Sequence, residues 1–353
     1  MKTEKFCVAG EGSQEYAALY TYILDDSPEL AVRERPLVIV CPGGAYMMTS
    51  DREAELVAMQ FLAFGYHAAV LRYSVAPSVY PAAVLELGRA IRLIRQHAEQ
   101  WKVNTDQIVV SGFSAGGHMA ASYCVAWNQK WLAQALGTES GMLRPGGLIL
   151  GYPVITAGEY AHQGSFENLL GKDYEAGKEE LSLEKLVHQD MPRTFIWHTF
   201  EDDAVPVQNS LLMVNALAAC HVSTEFHMFE KGGHGLSLAN KVTLSESGFG
   251  IQPGCEKWME LAHQWMERGL PSACPFCMGQ WSPGEMEGDA SGCAGPDPAA
   301  LTRYKTLDQA VKNALKQVED MKYDAELMAR GIPKERIRLY GLVFDGKRVL
   351  IGE

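Results

Sequence analysis

The chain has 353 residues, 47% of them hydrophobic, and a formal net charge of −12. The apolar share excludes wholesale disorder. The acidic balance argues against nucleic acid or an anionic membrane surface as a partner, because both select an excess of Lys and Arg.

No apolar stretch approaches the length of a membrane span. Met1 to Cys7 carries no apolar signal-peptide core, and the eight cysteines are scattered, with Cys41, Cys124 and Cys220 inside apolar runs. A cytoplasmic protein with free buried thiols is the expectation. Leu37-Val38-Ile39-Val40 is a short β-branched run that predicts a strand, and the turn Pro42-Gly43-Gly44-Ala45-Tyr46 follows it. His67 to Tyr73 reads as a second strand. Over 82–101, Val84, Leu87, Ile91, Ile94 and Ala98 recur at helical spacing. Gln107-Ile108-Val109-Val110 leads as a strand into Gly112-Phe113-Ser114-Ala115-Gly116, and a small-residue helix continues to about Val125. Gly147 to Tyr152, Thr194 to His198 and Thr224 to Phe229 are further strands, with helical stretches over 207–219 and 255–268. Near-continuous apolar strands separated by helices predict an α/β fold: a mostly parallel central sheet with helices on both faces.

The polar segment 156–191 breaks this rhythm and reads as a cap-like insertion over the C-terminal edge of the sheet. One domain is therefore expected over 1–270. A Gly/Pro/Cys-rich linker over 271–300 follows, and then a small C-terminal α+β extension over 301–353. In the extension, Leu307 to Met321 marks one amphipathic helix, and Asp345-Gly346 is the turn signal of a hairpin.

Gly112 to Gly116 is a G-x-S-x-G pattern placed between a strand and a helix. There the chain must reverse sharply at Ser114, and only small neighbours tolerate the close approach. A serine hydroxyl is a poor nucleophile without a base, which in turn needs an orienting acid. Later in the chain Glu201, Asp202 and Asp203 follow one strand, and His234 follows the last one between glycines. Each of the three carboxylates could equally sit in a solvated turn that caps the next helix. His118 lies one turn beyond Ser114, on the wrong side to act as its base, and His198 reads as a packed, hydrogen-bonded core residue. The Pro42–Tyr46 turn predicts an oxyanion hole made of the Gly44 and Ala45 N–H groups with that of Ala115. Among the aromatics at strand ends, Tyr46 and Tyr73 are the substrate-binding candidates, with Tyr80 and Trp197 beside them; packing of loop bases is the other reading of each. Asp51, Arg52 and Glu53 follow the turn and suggest an ion pair that fixes it.

These motifs resemble the α/β-hydrolase fold and its esterase/lipase group, in particular bacterial acetyl esterases and acetylxylan esterases. The likeness rests on Pro42 to Tyr46, Ser50 to Glu53, Leu71 to Pro77, Gly112 to His118, Tyr152-Pro153-Val154, Asp202 to Pro206 and Gly233-His234-Gly235. The resemblance implies Ser114, Asp202 and His234 as the catalytic set, because related hydrolases place their acid four residues before the equivalent of Pro206; Asp203 is the runner-up. It also implies a serine carboxylic ester hydrolase that removes acetyl groups from sugars such as acetylated xylo-oligosaccharides, without metal or organic cofactor. Pro42 stands where many relatives carry histidine and Ala45 where they carry a third glycine, yet Ala45 keeps its N–H.

A peptidase of the prolyl-oligopeptidase type shares the core, but no propeller-sized segment precedes Pro36. The same motifs also suit a feruloyl or lipase-like esterase, and a hydrolase-like binding protein without catalysis. Cys274, Cys277 and Cys293 form an incomplete zinc-ligand set with no histidine following, so no metal site is assigned. The partner expected is a small-molecule ester, and homo-oligomerisation is left open.

Overall fold

Strand β3 (Arg35–Cys41) shows how the sequence builds two cores at once. Leu37, Ile39 and Cys41 point to one face of the sheet, and Val38 and Val40 to the other, all fully buried. A strand that must be apolar on both faces has helices on both, and each Val, Leu or Ile so buried contributes roughly 1.5–3 kcal/mol.

The computed structural model describes residues 1–268 and the strands Gly341–Asp345 and Arg348–Gly352. The linker expected over 271–300, the helix expected on Leu307 to Met321, and Cys274, Cys277 and Cys293 lie outside the described residues. The chain divides into two compact units, Met1–Phe276 and Cys277–Glu353.

In the first unit, β1 (Lys2–Cys7), β2 (Ala18–Ile23), β3, β4 (His67–Arg72), β5 (Val103–Phe113), β6 (Gly147–Gly151), β7 (Thr194–Thr199) and β8 (Thr224–Phe229) form one sheet in the order β1-β2-β4-β3-β5-β6-β7-β8. The pairs β1/β2 and β2/β4 are antiparallel and the rest parallel. The expected mostly parallel sheet of an α/β-hydrolase is present, extended by two N-terminal strands that the apolar pattern did not announce.

Helices α1 (Glu55–Ala63), α2 (Ala82–Gln96), α3 (Ala98–Trp101), α4 (Ser114–Ala126), α5 (Lys130–Leu136), α6 (Gln163–Leu170), α7 (Tyr174–Gly177), α8 (Gln208–Ala219) and α9 (Trp258–Arg268) follow in chain order. The core on one face joins α2 and α4 to the sheet through Leu87, Ile91 and Met119; the other joins α1 and α9 through Phe61, Trp258 and Trp265. The single helix expected over 82–101 breaks at His97, whose ring stacks on Trp101. The polar 156–191 segment contains α6, α7 and short 3-10 turns. Leu169 and Leu170 of α6, with Leu181 and Leu183, pack it onto the α2/α4 face.

In the second unit, β9 (Gly341–Asp345) and β10 (Arg348–Gly352) pair antiparallel with Asp345 opposite Arg348.

Candidate active site

Ser114 sits at the junction of β5 and α4 with φ at 50°, in the left-handed region that a side chain rarely adopts. The glycines around it are sterically required. A β-carbon at Gly112 would collide with the Gly116 carbonyl, and one at Gly116 with the carbonyls of Cys41 and Pro42. The elbow therefore packs directly against the turn after β3.

The Ser114 hydroxyl donates to His234 Nε2 at 2.8 Å, and His234 Nδ1 donates to Asp202 Oδ2, also at 2.8 Å. Of the three competing carboxylates, the structure brings Asp202 to the imidazole. Glu201 instead pairs with Lys231 at 2.7 Å, and Asp203 is exposed. Asp202 Oδ1 accepts the N–H groups of Ala204 and Val205, and Oδ2 is also approached by His198 Nε2 at 3.2 Å. Burial alone would raise this carboxyl; hydrogen bonds from His198 and His234 outweigh it and hold it well below the usual carboxylate range.

His198 is the buried, hydrogen-bonded core residue expected, and one of its partners is Asp202. Its Nε2 lies between the Asp202 carboxylate and the Val205 carbonyl, so it carries the proton, while Nδ1 accepts from Ser210 Oγ at 2.7 Å.

The Pro42–Tyr46 turn is held by its own carbonyls. Gly43 O accepts from Ser50 N, and Gly44 O from Met47 N and Met48 N. A trans peptide sets N–H opposite C=O, so the Gly44 and Ala45 N–H groups face away from the 47–50 segment. Among the described residues neither donates to a protein acceptor. Ser114 O accepts from Val154 N, which turns the Ala115 N–H away from Val154 by the same logic. Asn168 of α6 donates to Ala45 O at 2.8 Å, tying the cap segment to the turn. Gly44, Ala45, Met47, Met48, Arg52, Glu53, Ser114, His162, His234 and Gly235 line one pocket of about 340 Å³.

Behind the pocket runs a buried chain of hydrogen bonds. Tyr152 packs edge-on against His234, with centroids 5.1 Å apart. Its hydroxyl accepts from Ser237 N at 2.8 Å and donates to Glu53 Oε1 at 2.6 Å, while Glu53 Oε2 accepts from Gly43 N at 2.8 Å. The turn is fixed by this carboxylate and not by an ion pair among Asp51, Arg52 and Glu53. Asp51 pairs instead with Arg72, and Arg52 Nε donates to Thr243 O.

Tyr46 and Tyr73 correct the expectation of sugar-stacking rings. They are 3% and 0% exposed, and both hydroxyls are taken: Tyr46 by His118 Nδ1 at 2.9 Å, Tyr73 by Pro42 O at 2.6 Å. Both rings belong to the core on the α2/α4 face, where they pack edge to face with centroids 6.1 Å apart. His118 Nε2 donates to Leu181 O, so this histidine joins cap to elbow helix. Burial holds its ring down at about 4.

His162 is the pocket residue that local sequence patterns do not single out. Its only local signal is Ser165 three positions on, the spacing of a capped helix start.

A strand–elbow–helix serine, hydrogen-bonded to a histidine and an aspartate from later loops of a mostly parallel sheet, defines an α/β-hydrolase. The BD-FAE family matches residues 26–217, more than half of the chain, and the chain belongs to that family. It is 38% identical over 230 residues to endo-1,4-beta-xylanase B of Butyrivibrio fibrisolvens, a match covering 63% of this chain and 35% of that protein. It is 28% identical over 211 residues to the acetylxylan esterase of Xylanibacter ruminicola, covering 57% and 41%. The chain thus spans less than half the length of these two relatives. Among solved structures, the acetyl ester-xyloside bifunctional hydrolase from Caldicellulosiruptor lactoaceticus aligns with a TM-score of 0.61 at 35% identity, over 71% of this chain and 88% of that one.

Proposed function

We propose that the protein is a serine carboxylic ester hydrolase that removes small acyl groups, acetyl first, from sugars such as acetylated xylo-oligosaccharides. The observation that carries this reading is the unbroken chain from Ser114 through His234 to Asp202, at 2.8 Å for each link, opening on a pocket edged by Gly44 and Ala45.

Ser114 attacks the ester carbonyl while His234 Nε2 takes its proton. The carbonyl oxygen becomes an oxyanion facing the Gly44, Ala45 and Ala115 N–H groups; losing one such donor typically costs about 3–4 kcal/mol of transition-state stabilisation. His234 returns the proton to the departing sugar alcohol, leaving an acyl-serine, and a water activated by the same imidazole hydrolyses it. Asp202, held ionised by its four donors, keeps the proton on His234 Nδ1 and stabilises the imidazolium. Acetylated xylosides as substrates are supported by the relatives named for acetylxylan and acetyl ester-xyloside hydrolysis.

The test is steady-state hydrolysis of para-nitrophenyl esters from acetate to octanoate, with Ser114→Ala alongside. Turnover should favour acetate and fall by roughly 10⁴-fold or more in the variant. Turnover that survives in a clean Ser114→Ala preparation overturns the mechanism. A second reading, a longer or aromatic acyl group, rests on Met47 and Met48, apolar and exposed at the pocket wall. A preference for octanoate, or for methyl ferulate added to the series, would favour it.

A further inference from the structure

His162 caps the N-terminus of α6 inside the polar segment that covers the sheet edge, and it lines the pocket shared by Ser114 and His234. Its Nδ1 accepts from the Ser165 N–H at 3.3 Å and faces Ser165 Oγ at 2.8 Å. A backbone N–H can only donate, so Nδ1 must present its lone pair, and the neutral ring keeps its proton on Nε2. Burial first, and the nearby His234 second, hold the ring below the usual histidine range and so favour this neutral form. Among the described residues no protein acceptor meets Nε2.

His162 therefore offers the pocket a donor that the ester chemistry does not use. The carbonyl oxygen is served by the Gly44, Ala45 and Ala115 N–H groups, and the bridging oxygen of the alcohol by His234. A further N–H fits an oxygen elsewhere on the substrate. An acetyl group has none to offer, whereas a sugar carries hydroxyl and ring oxygens beside the ester. The donor is also rigidly placed, because the same short helix is tied to the turn through Asn168 and Ala45.

We propose that His162 is a specificity-determining residue: its Nε2–H hydrogen-bonds a hydroxyl or ring oxygen of the alcohol portion, selecting esters of polyhydroxylated alcohols over simple ones. This rests on Ser114 and His234 acting as read above.

The test compares wild type, His162→Asn and His162→Gln in the full chain. The two substrates are a mono-acetylated methyl xyloside and para-nitrophenyl acetate, whose alcohol has no hydroxyl neighbour. Asparagine keeps a side-chain oxygen that can cap Ser165 N–H but is too short to present a donor in the pocket. Glutamine is longer and presents an N–H there.

His162→Asn should raise KM for the xyloside about tenfold, the size of one lost hydrogen bond. Its kcat should change far less, and kcat/KM for para-nitrophenyl acetate should fall by a smaller factor. His162→Gln should restore part of the preference. Equal losses on both substrates, an unchanged ratio in His162→Asn, or a wild type that cleaves para-nitrophenyl acetate but not the xyloside would each overturn the proposal. Ser114→Ala in the same assays separates the two readings: activity surviving there removes the mechanism. Activity lost there, with the substrate ratio unmoved in His162→Asn, removes only the role of His162.

Discussion

A β-carbon on Gly43 would lie 2.8 Å from Glu53 Oε2 and 2.9 Å from Ser114 Cβ, and one on Gly116 would drive into the Pro42 and Cys41 carbonyls. Turn and elbow are therefore in backbone contact at the point where Ser114 takes its φ of 50°. Space, and not only conformational freedom, is what these glycines supply. Gly116→Ala should destabilise the protein by roughly 1–3 kcal/mol, the usual cost of overpacking a tight interior. The urea midpoint should drop accordingly, and ester turnover should fall more than stability accounts for, because the N–H groups proposed as oxyanion donors shift with the carbonyls. An unchanged midpoint would mean that the turn yields freely.

At the scale of elements, Tyr152 couples segments that are remote in sequence. Its hydroxyl stands between the Ser237 N–H of the histidine loop and the Glu53 carboxylate, which in turn holds the Gly43 N–H of the turn after β3. Its ring supports the imidazole of His234. Tyr152→Phe keeps the ring and deletes the hydroxyl, leaving a buried N–H and a carboxylate oxygen unpartnered at about 1–3 kcal/mol. Urea unfolding should register that loss, and kcat for para-nitrophenyl acetate should decline with it as both loops relax. Wild-type kcat in a destabilised Tyr152→Phe protein would restrict the network to a structural role. The cap segment is bound by similar means, through Asn168 to Ala45 and His118 to Leu181, so the pocket wall is fixed by polar contacts as well as by Leu169, Leu170 and Leu183.

For the whole molecule, pH stability follows from buried groups in separate regions. Burial lowers both His67 and His118 to about 4, against about 6.5 for an unfolded histidine. Below about 6.5 the unfolded chain takes up protons that the native protein refuses, so stability falls as pH falls from there and this contribution levels off near 4. Asp202 lies below its ordinary value, so its contribution persists above the usual carboxylate range, near about 4, and is lost only at lower pH. Urea midpoints measured from pH 7.5 to 4 should decline steadily across the histidine window. A flat profile would contradict the burial of these two rings as neutral groups.

Much of the scaffold was legible because it rests on local chemistry. The apolar runs of β3 and β5, the G-x-S-x-G pattern between strand and helix, and the glycine-flanked His234 are short-range signals, read by spacing alone. Strands β1 and β2 were not legible. Lys2–Cys7 is mostly exposed, and its strand state follows from pairing with Ala18–Ile23 rather than from its own apolar pattern. Tyr46 and Tyr73 misled for the same reason: position at a strand end says nothing of what later covers it. The order of elements and the residue types at the elbow and the two following loops were readable along the chain. Asp202 was singled out over Glu201 and Asp203 by its offset from Pro206, and the fold brings it to His234; that Glu53 anchors the turn and that His162 reaches the pocket emerged only from the folded chain. Each of those depends on where segments scores of residues apart come to rest, and hydrogen-bond geometry within about 3 Å is not written in any local pattern.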